Sequence, residues 1–303
     1  MICAGKMLLY LGIFISPFFF LSCRHHLIDN ANWELVATGF SFPEGPAWDG
    51  QGLLYVSNCN SDWIARIENG EVDRFLSASE RTFGKTNGMI VSKTGDLYAC
   101  DFGRGAILKI SWSGEVRVVT SGFQGARFNR PNDINFDRSG NLYFTDPKSY
   151  QAAQPDGRVF YHDIAADTTR LVAVNMDFPN GLAMSPREAK LFVCESGKSR
   201  IVRFDVVESG RLANMQVFVE LPGGDPDGLE FDTEGNLWVA HFGSGTVFVI
   251  APDGHILHRI KTPGKKPSNL EFGDADGRTL FLTEDETNSI YKLRVCVTGY
   301  RAF

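Results

Sequence analysis

The chain has 303 residues, 43% of them hydrophobic and 22% charged, which is enough for one large core and leaves a second domain optional. Its formal net charge is −6, and no run of Lys or Arg interrupts it. That argues against a nucleic-acid backbone as partner, which needs clustered positive charge, and leaves a small neutral or anionic substrate open.

Lys6 precedes an apolar stretch from Met7 to Leu21, which gives way to Ser22-Cys23 and the polar Arg24-His25-His26. The stretch is short for a membrane span and has the shape of a secretory h-region. A small residue directly before a Cys resembles a bacterial lipoprotein cleavage site, which would leave Cys23 as the lipidated first residue. An ordinary signal peptide or a short anchor is the alternative. The expected organisation is a signal peptide over 1–23, a tether over 24–33 carrying His25 and His26, and a folded unit over 34–303. That unit would work outside the cytoplasm, touching a membrane only through an N-terminal lipid.

An isolated strand, Glu34 to Thr38, comes first. Six repeats follow, each with a motif of the form G-x-L-aromatic: GLLYVSN from Gly52, GDLYACD from Gly95, GNLYFTD from Gly140, AKLFVCE from Ala189, GNLWVAH from Gly235 and RTLFLTE from Arg278. Their leucines, at 54, 97, 142, 191, 237 and 280, are 43, 45, 49, 46 and 43 residues apart. In the second repeat, strand-like pieces at Gly88–Val91, Asp96–Cys100, Ala106–Ile110 and Glu115–Thr120 are separated by the turn clusters SKTGD, DFGRG and SWSG. Four strands at this period are the signature of a propeller blade, so the expected fold is an all-β, six-bladed propeller. The sixth repeat carries only three strands, at Leu270–Phe272, Thr279–Thr283 and Ser289–Val295. The N-terminal strand is therefore expected to complete it and close the ring, which removes exposed sheet edges.

Ahead of each G-x-L motif a short apolar strand opens with a small polar or acidic residue: Glu44, Asn87, Asn132, Asn180, Asp227 and Ser268. Sequences such as PNG and PDG alone read as tight turns. Here the hairpins are already supplied further along by WDGQG, SKTGD, DRSGN and DTEGN, so the six residues fall at the start of the innermost strand, where the blades converge on a central channel. A second column ends the second strands at Asn58, Asp101, Asp146, Glu195, His241 and Glu284, and antiparallel pairing returns it to the same face. That face is expected to be strongly negative around the channel mouth, unless these acids only solvate turns. His241 reads first as a polar strand end and second as an additional acid or base.

Glu44, Asn180 and Asp227, with Asn132 close by, bring charged and neutral oxygen donors to one axis. Such a set suits a hard divalent cation, most readily calcium, with zinc or manganese open on affinity alone. Without a cation the two carboxylates would repel each other. Of the cysteines beyond the leader, Cys59, Cys100, Cys194 and Cys296 show no zinc spacing and read as buried free thiols, with a disulfide open.

At these residues the chain resembles the family of gluconolactonases and senescence marker protein (regucalcin), six-bladed propellers that hydrolyse lactones. The resemblance spans roughly residues 34 to 295 and rests on PEGPAW, RPNDINFDRSGNLYFTD, FPNGLAMS and PDGLEFDTEGNLWVA, in that order. It implies metal ligation by Glu44, Asn180 and Asp227, with Asn132 contacting substrate or supplementing the metal shell. It also implies Arg130 as a substrate contact and Asp227 as general base. Asn87 joins Arg130 and Asn132 on the substrate side. The implied reaction is opening of a sugar lactone, gluconolactone-like, by a metal-activated water. Gln151 to Gly157 and the His241-Phe242-Gly243 loop depart from the sugar-lactonase members, which leaves the lactone open. A strictosidine-synthase-like propeller is disfavoured by Glu44 and Asp227 together. The non-enzymatic alternative is an extracytoplasmic propeller that binds a sugar or a protein around a structural calcium.

Overall fold

The computed structural model describes residue 1 and residues 27–28, 31–78, 83–187 and 189–301. Cys23, His25 and His26, and with them the expected leader and lipid anchor, lie outside the described residues. Among the described residues six four-stranded sheets succeed one another around a ring. Their innermost strands are Pro43–Trp48, Thr86–Val91, Ile134–Phe136, Pro179–Met184, Asp225–Phe231 and Pro267–Gly273, defining blades 1 to 6. Blade 6 takes its outermost strand from Glu34–Thr38, which pairs antiparallel with Ser289–Arg294, Glu34 opposite Lys292 and Thr38 opposite Ser289. The ring closes as the strand count requires. One feature outside the repeat is a small hairpin before blade 3, Gly122–Phe123 with Ala126–Arg127.

The G-x-L-aromatic motif explains why the blades hold together. Successive strand residues face opposite sides of a sheet, so the leucine points at the preceding blade and the aromatic residue at the following one. Leu54 packs between blades 6 and 1, and Tyr55 between blades 1 and 2. Leu97 and Tyr98 continue the pattern, and Leu237 and Trp238 repeat it between blades 4/5 and 5/6. The result is six separate apolar clusters, one at every blade interface. Each second strand is buried on both faces, hence its nearly unbroken apolar run.

The expected hairpins sit at the end of the blades away from the column. Asp49 accepts backbone N–H groups from Gln51, Gly52 and Leu53 at 2.7–2.9 Å, and Asp232 accepts from Glu234 and Asn236. Part of the expected tether is packed rather than loose. Leu27 is buried in the cluster between blades 5 and 6, its carbonyl accepts from the Cys296 N–H, and the Trp33 indole donates to Lys261 O. Cys59, Cys100 and Cys194 are buried free thiols, whereas Cys296 is exposed, against expectation.

Candidate functional site

The six column residues lie at or just before the start of the innermost strands and are drawn together by close backbone approach. The position after the column is glycine in four blades: Gly45, Gly88, Gly181 and Gly228. A Cβ on Gly45 would overlap the Asn87 carbonyl oxygen, and one on Gly181 the Asp227 carbonyl oxygen. Hydroxyls from neighbouring positions then stitch the column's backbone from blade to blade. Ser57 Oγ donates to Asn87 O at 2.6 Å, and Thr145 Oγ1 to Asn180 O at 2.8 Å. Ser196 Oγ donates to Pro226 O at 2.7 Å and Ser268 Oγ to Pro43 O at 3.0 Å. Ser268 is thus a stitch between blades 6 and 1 and not a ligand.

Glu44, Asn180 and Asp227 are buried, and Asn87 and Asn132 half-buried. Burial pushes the Glu44 carboxyl up to about 7, opposed by the Gly45 N–H that donates to its Oε2 at 2.9 Å. Asp227 is pushed well above the carboxylate range, first by burial and then by the charge of Glu44, with Asp285 and Asp133 adding to it. The charge of Glu44 therefore reaches Asp227 across the channel mouth. Arg130 is placed differently: its side chain is exposed at the rim, with the guanidinium 5.9 Å from the Phe102 ring, while its backbone N–H donates to Asp146.

Two further acids escape the repeat pattern. Asp133 stands where four other blades have glycine, accepts from the Leu182 N–H at 3.1 Å and is pushed by burial up to about 7. Asp285 follows the second column in blade 6, is 8% exposed, and has no hydrogen-bond partner for either carboxylate oxygen. Burial, then the charges of Glu44 and Glu284, push it up to about 9. The only sequence signal for either was an acid adjoining a column position in a single blade.

The second column corrects an expectation. Asp101, Asp146, Glu195, His241 and Glu284 are fully buried, and Asn58 nearly so; they are not surface carboxylates but hold turns and loops from within the fold. They latch the loop that enters the innermost strand. Asp101 accepts from the N–H groups of Gly84, Lys85 and Arg104 at 2.7–3.0 Å, Glu195 from Asp177 N, and Glu284 from Lys266 N and Thr287 N. His241 is held between Leu221 O and Ser244 Oγ, and burial lowers its pKa, so it stays a neutral strand end. Asp101→Ala removes the acceptor of three part-buried N–H groups and is expected to cost about 1–3 kcal/mol, read as a lower midpoint in urea with an unchanged m-value.

The donor set fits a hard cation. Asn87 Oδ1 and both oxygens of Asp285 are buried without partners, and the carboxylates of Glu44 and Asp227 gain from any positive charge between them. Among the described residues no three His, Cys, Asp or Glu side chains close on one point, so a cation there would need amide oxygens in its shell.

The SMP-30/gluconolactonase/LRE-like family profile matches residues 42–285. A gluconolactonase of Zymomonas mobilis is 31% identical over 307 aligned positions, covering 88% of this chain and 82% of its own. The diisopropyl-fluorophosphatase of Loligo vulgaris is 34% identical over 184 positions, covering 56% of this chain and 58% of its own. Among solved structures, a gluconolactonase of Xanthomonas campestris superposes with a TM-score of 0.77 at 30% identity, over 87% of this chain and 89% of its own.

Proposed function

The chain belongs to the SMP-30/gluconolactonase/LRE-like family, and from that premise we propose that it hydrolyses a lactone at the channel mouth with a divalent cation, calcium foremost, held by Glu44, Asn132, Asn180 and Asp227. The observation that carries this reading is the pair of buried carboxylates, Glu44 and Asp227, at the same end of the innermost strands as the column's amides, with the charge of Glu44 acting on Asp227. Relatives named for gluconolactone hydrolysis support the reaction class.

When bound, a divalent cation supplies Lewis acidity toward the lactone carbonyl oxygen and neutralises the carboxylate pair. Asp227 takes the proton of the attacking water as its oxygen bonds to the carbonyl carbon, a contribution of about 10²–10⁴-fold for a positioned base. As the ring C–O bond breaks, that proton passes to the ring oxygen, and the product is a hydroxy acid. Asn87 and Asn132 orient the ring, and Arg130 at the rim faces the new carboxylate. The leader supports an extracytoplasmic, lipid-anchored setting through Cys23, checked by incorporation of labelled palmitate into the full chain and its loss in Cys23→Ala.

The reaction is tested with a panel of sugar and aliphatic lactones in calcium, zinc, manganese or chelator. Hydrolysis that disappears in chelator and returns with a divalent cation is expected. Cation binding without hydrolysis of any lactone would point instead to a binding propeller.

A further inference from the structure

The floor of the site is polar, but its wall is aromatic. Phe42 directly precedes Pro43-Glu44, Phe178 directly precedes Pro179-Asn180, and Phe102 and Phe242 directly follow the second-column residues Asp101 and His241. All four therefore belong to the face on which the column opens. The rings of Phe42 and Phe242 lie 6.3 Å apart. They come from blades 1 and 5, which are not neighbours, so the pair meets over the innermost end of blade 6.

A second bridge spans blade 4. Tyr150, between the second and third strands of blade 3, sits edge-on to Phe178 at 5.5 Å, and its hydroxyl donates to Asp225 of blade 5 at 2.8 Å. None of these rings is buried: the phenylalanines are half-buried and Tyr150 is 44% exposed. Phe42 and Phe178 are held at φ of 62° and 53°, a left-handed backbone that bulky side chains seldom adopt and that persists at sites which constrain it. Two cations complete the rim: Arg130 beside Phe102, and Lys266 5.8 Å from the Phe242 ring.

We infer that the mouth selects lactones carrying an apolar alkyl or aryl substituent over polyhydroxylated sugar lactones; this rests on the lactonase reading above. A sugar lactone presents hydroxyls around its ring, and each needs a donor or acceptor that aromatic faces do not provide. An alkyl chain laid against Phe42, Phe178 and Phe242 leaves water, a gain that grows with each CH₂ buried, while the lactone carbonyl reaches the Glu44–Asp227 floor. The departures at Gln151–Gly157 and His241-Phe242-Gly243 lie in or next to the segments that build this wall, so they redirect specificity rather than abolish the site.

Three substrates with the same six-membered ring decide the point: δ-decalactone with a pentyl chain, δ-valerolactone with none, and δ-gluconolactone with hydroxyls. In calcium, kcat/KM for δ-decalactone is expected to exceed each of the others by about tenfold or more once spontaneous hydrolysis is subtracted. Phe242→Ala should reduce the decalactone-to-valerolactone ratio at least several-fold, mainly through KM, with Phe102→Ala as the second variant should the first not fold. Equal or greater efficiency on δ-gluconolactone overturns the inference. Binding of the non-hydrolysable lactams 6-pentyl-2-piperidinone and 2-piperidinone to the native protein, followed by calorimetry, separates the two claims. Tighter binding of the pentyl lactam without turnover of any lactone upholds the apolar mouth and sinks the lactonase reading; equal binding of both lactams sinks the apolar mouth.

Discussion

Asp227→Asn is expected to lower kcat/KM for lactone hydrolysis by about 10²–10⁴-fold and, in chelator at pH 8, to raise the melting temperature. Both effects have one origin. The carboxyl of Asp227 is displaced upward by burial and by the charges of Glu44, Asp285 and Asp133, so its ionised form weakens the cation-free fold. An amide keeps the shape, removes that repulsion and cannot take the proton from water. Glu44→Gln should move rate and stability in the same directions, because Glu44 is displaced by burial and by Asp133. Asp285→Asn should raise cation-free stability in the same way, because Asp285 is displaced by burial and by the charges of Glu44 and Glu284. Stopped assays and thermal melts on the same preparations read all of this. Full activity in Asp227→Asn would remove that residue from the chemistry; a lowered melting temperature would mean that its charge is satisfied by the protein itself.

In chelator, the native protein should lose thermal stability as pH rises from about 5 to about 9, and saturating calcium should largely abolish that slope. The direction follows from the displaced acids. Glu44 moves from 4.5 to about 7, Asp133 from 3.8 to about 7 and Asp285 from 3.8 to about 9. A group whose folded-state pKa is raised binds its proton more tightly in the fold than in the unfolded chain. Its stabilising contribution is complete below the unfolded value and is lost as pH climbs through the folded value. At about 1.4 kcal/mol per unit, even one such group weakens the cation-free protein by a few kcal/mol at pH 8, or about 10 °C in melting temperature for a domain of this size. Calcium at a hundredfold excess over its Kd should return about 2.7 kcal/mol. A chelator-treated protein whose melting temperature stays flat or rises over this range would show that these carboxylates are already compensated.

The fold was legible because its rule is local. Leu54-Tyr55 and its counterparts state, in two adjacent residues, that each second strand must be buried on both faces, and the spacing of the leucines counts the blades. Closure was legible by subtraction, since the last repeat lacked a strand and Glu34–Thr38 was spare. The column was legible for the same reason, repetition at one register.

What repetition does not encode stayed hidden. Asp101 and Glu284 looked like surface acids because the N–H groups they accept belong to loops whose path no pattern specifies. Asp133 and Asp285 each occur in one blade only, so neither formed a column. The meeting of Phe42 with Phe242 joins residues 200 positions apart in blades that do not touch in sequence order. Contacts of that kind depend on how far each rim loop leans over the mouth. The fold and the convergence of the column could therefore be read from the chain, and the shape of the pocket could not.

The proposed dependence of lactone opening on a divalent cation held by Glu44 and Asp227 is open to measurement. Its most direct test is a calcium titration of chelator-treated protein, with the heat of binding and the initial rate of δ-decalactone hydrolysis followed on the same samples. One calcium per chain, with rate and heat sharing a midpoint and both lost in Asp227→Asn, is the predicted result. Undiminished hydrolysis in chelator, or a calcium that binds as tightly to Asp227→Asn as to the native chain, would contradict it.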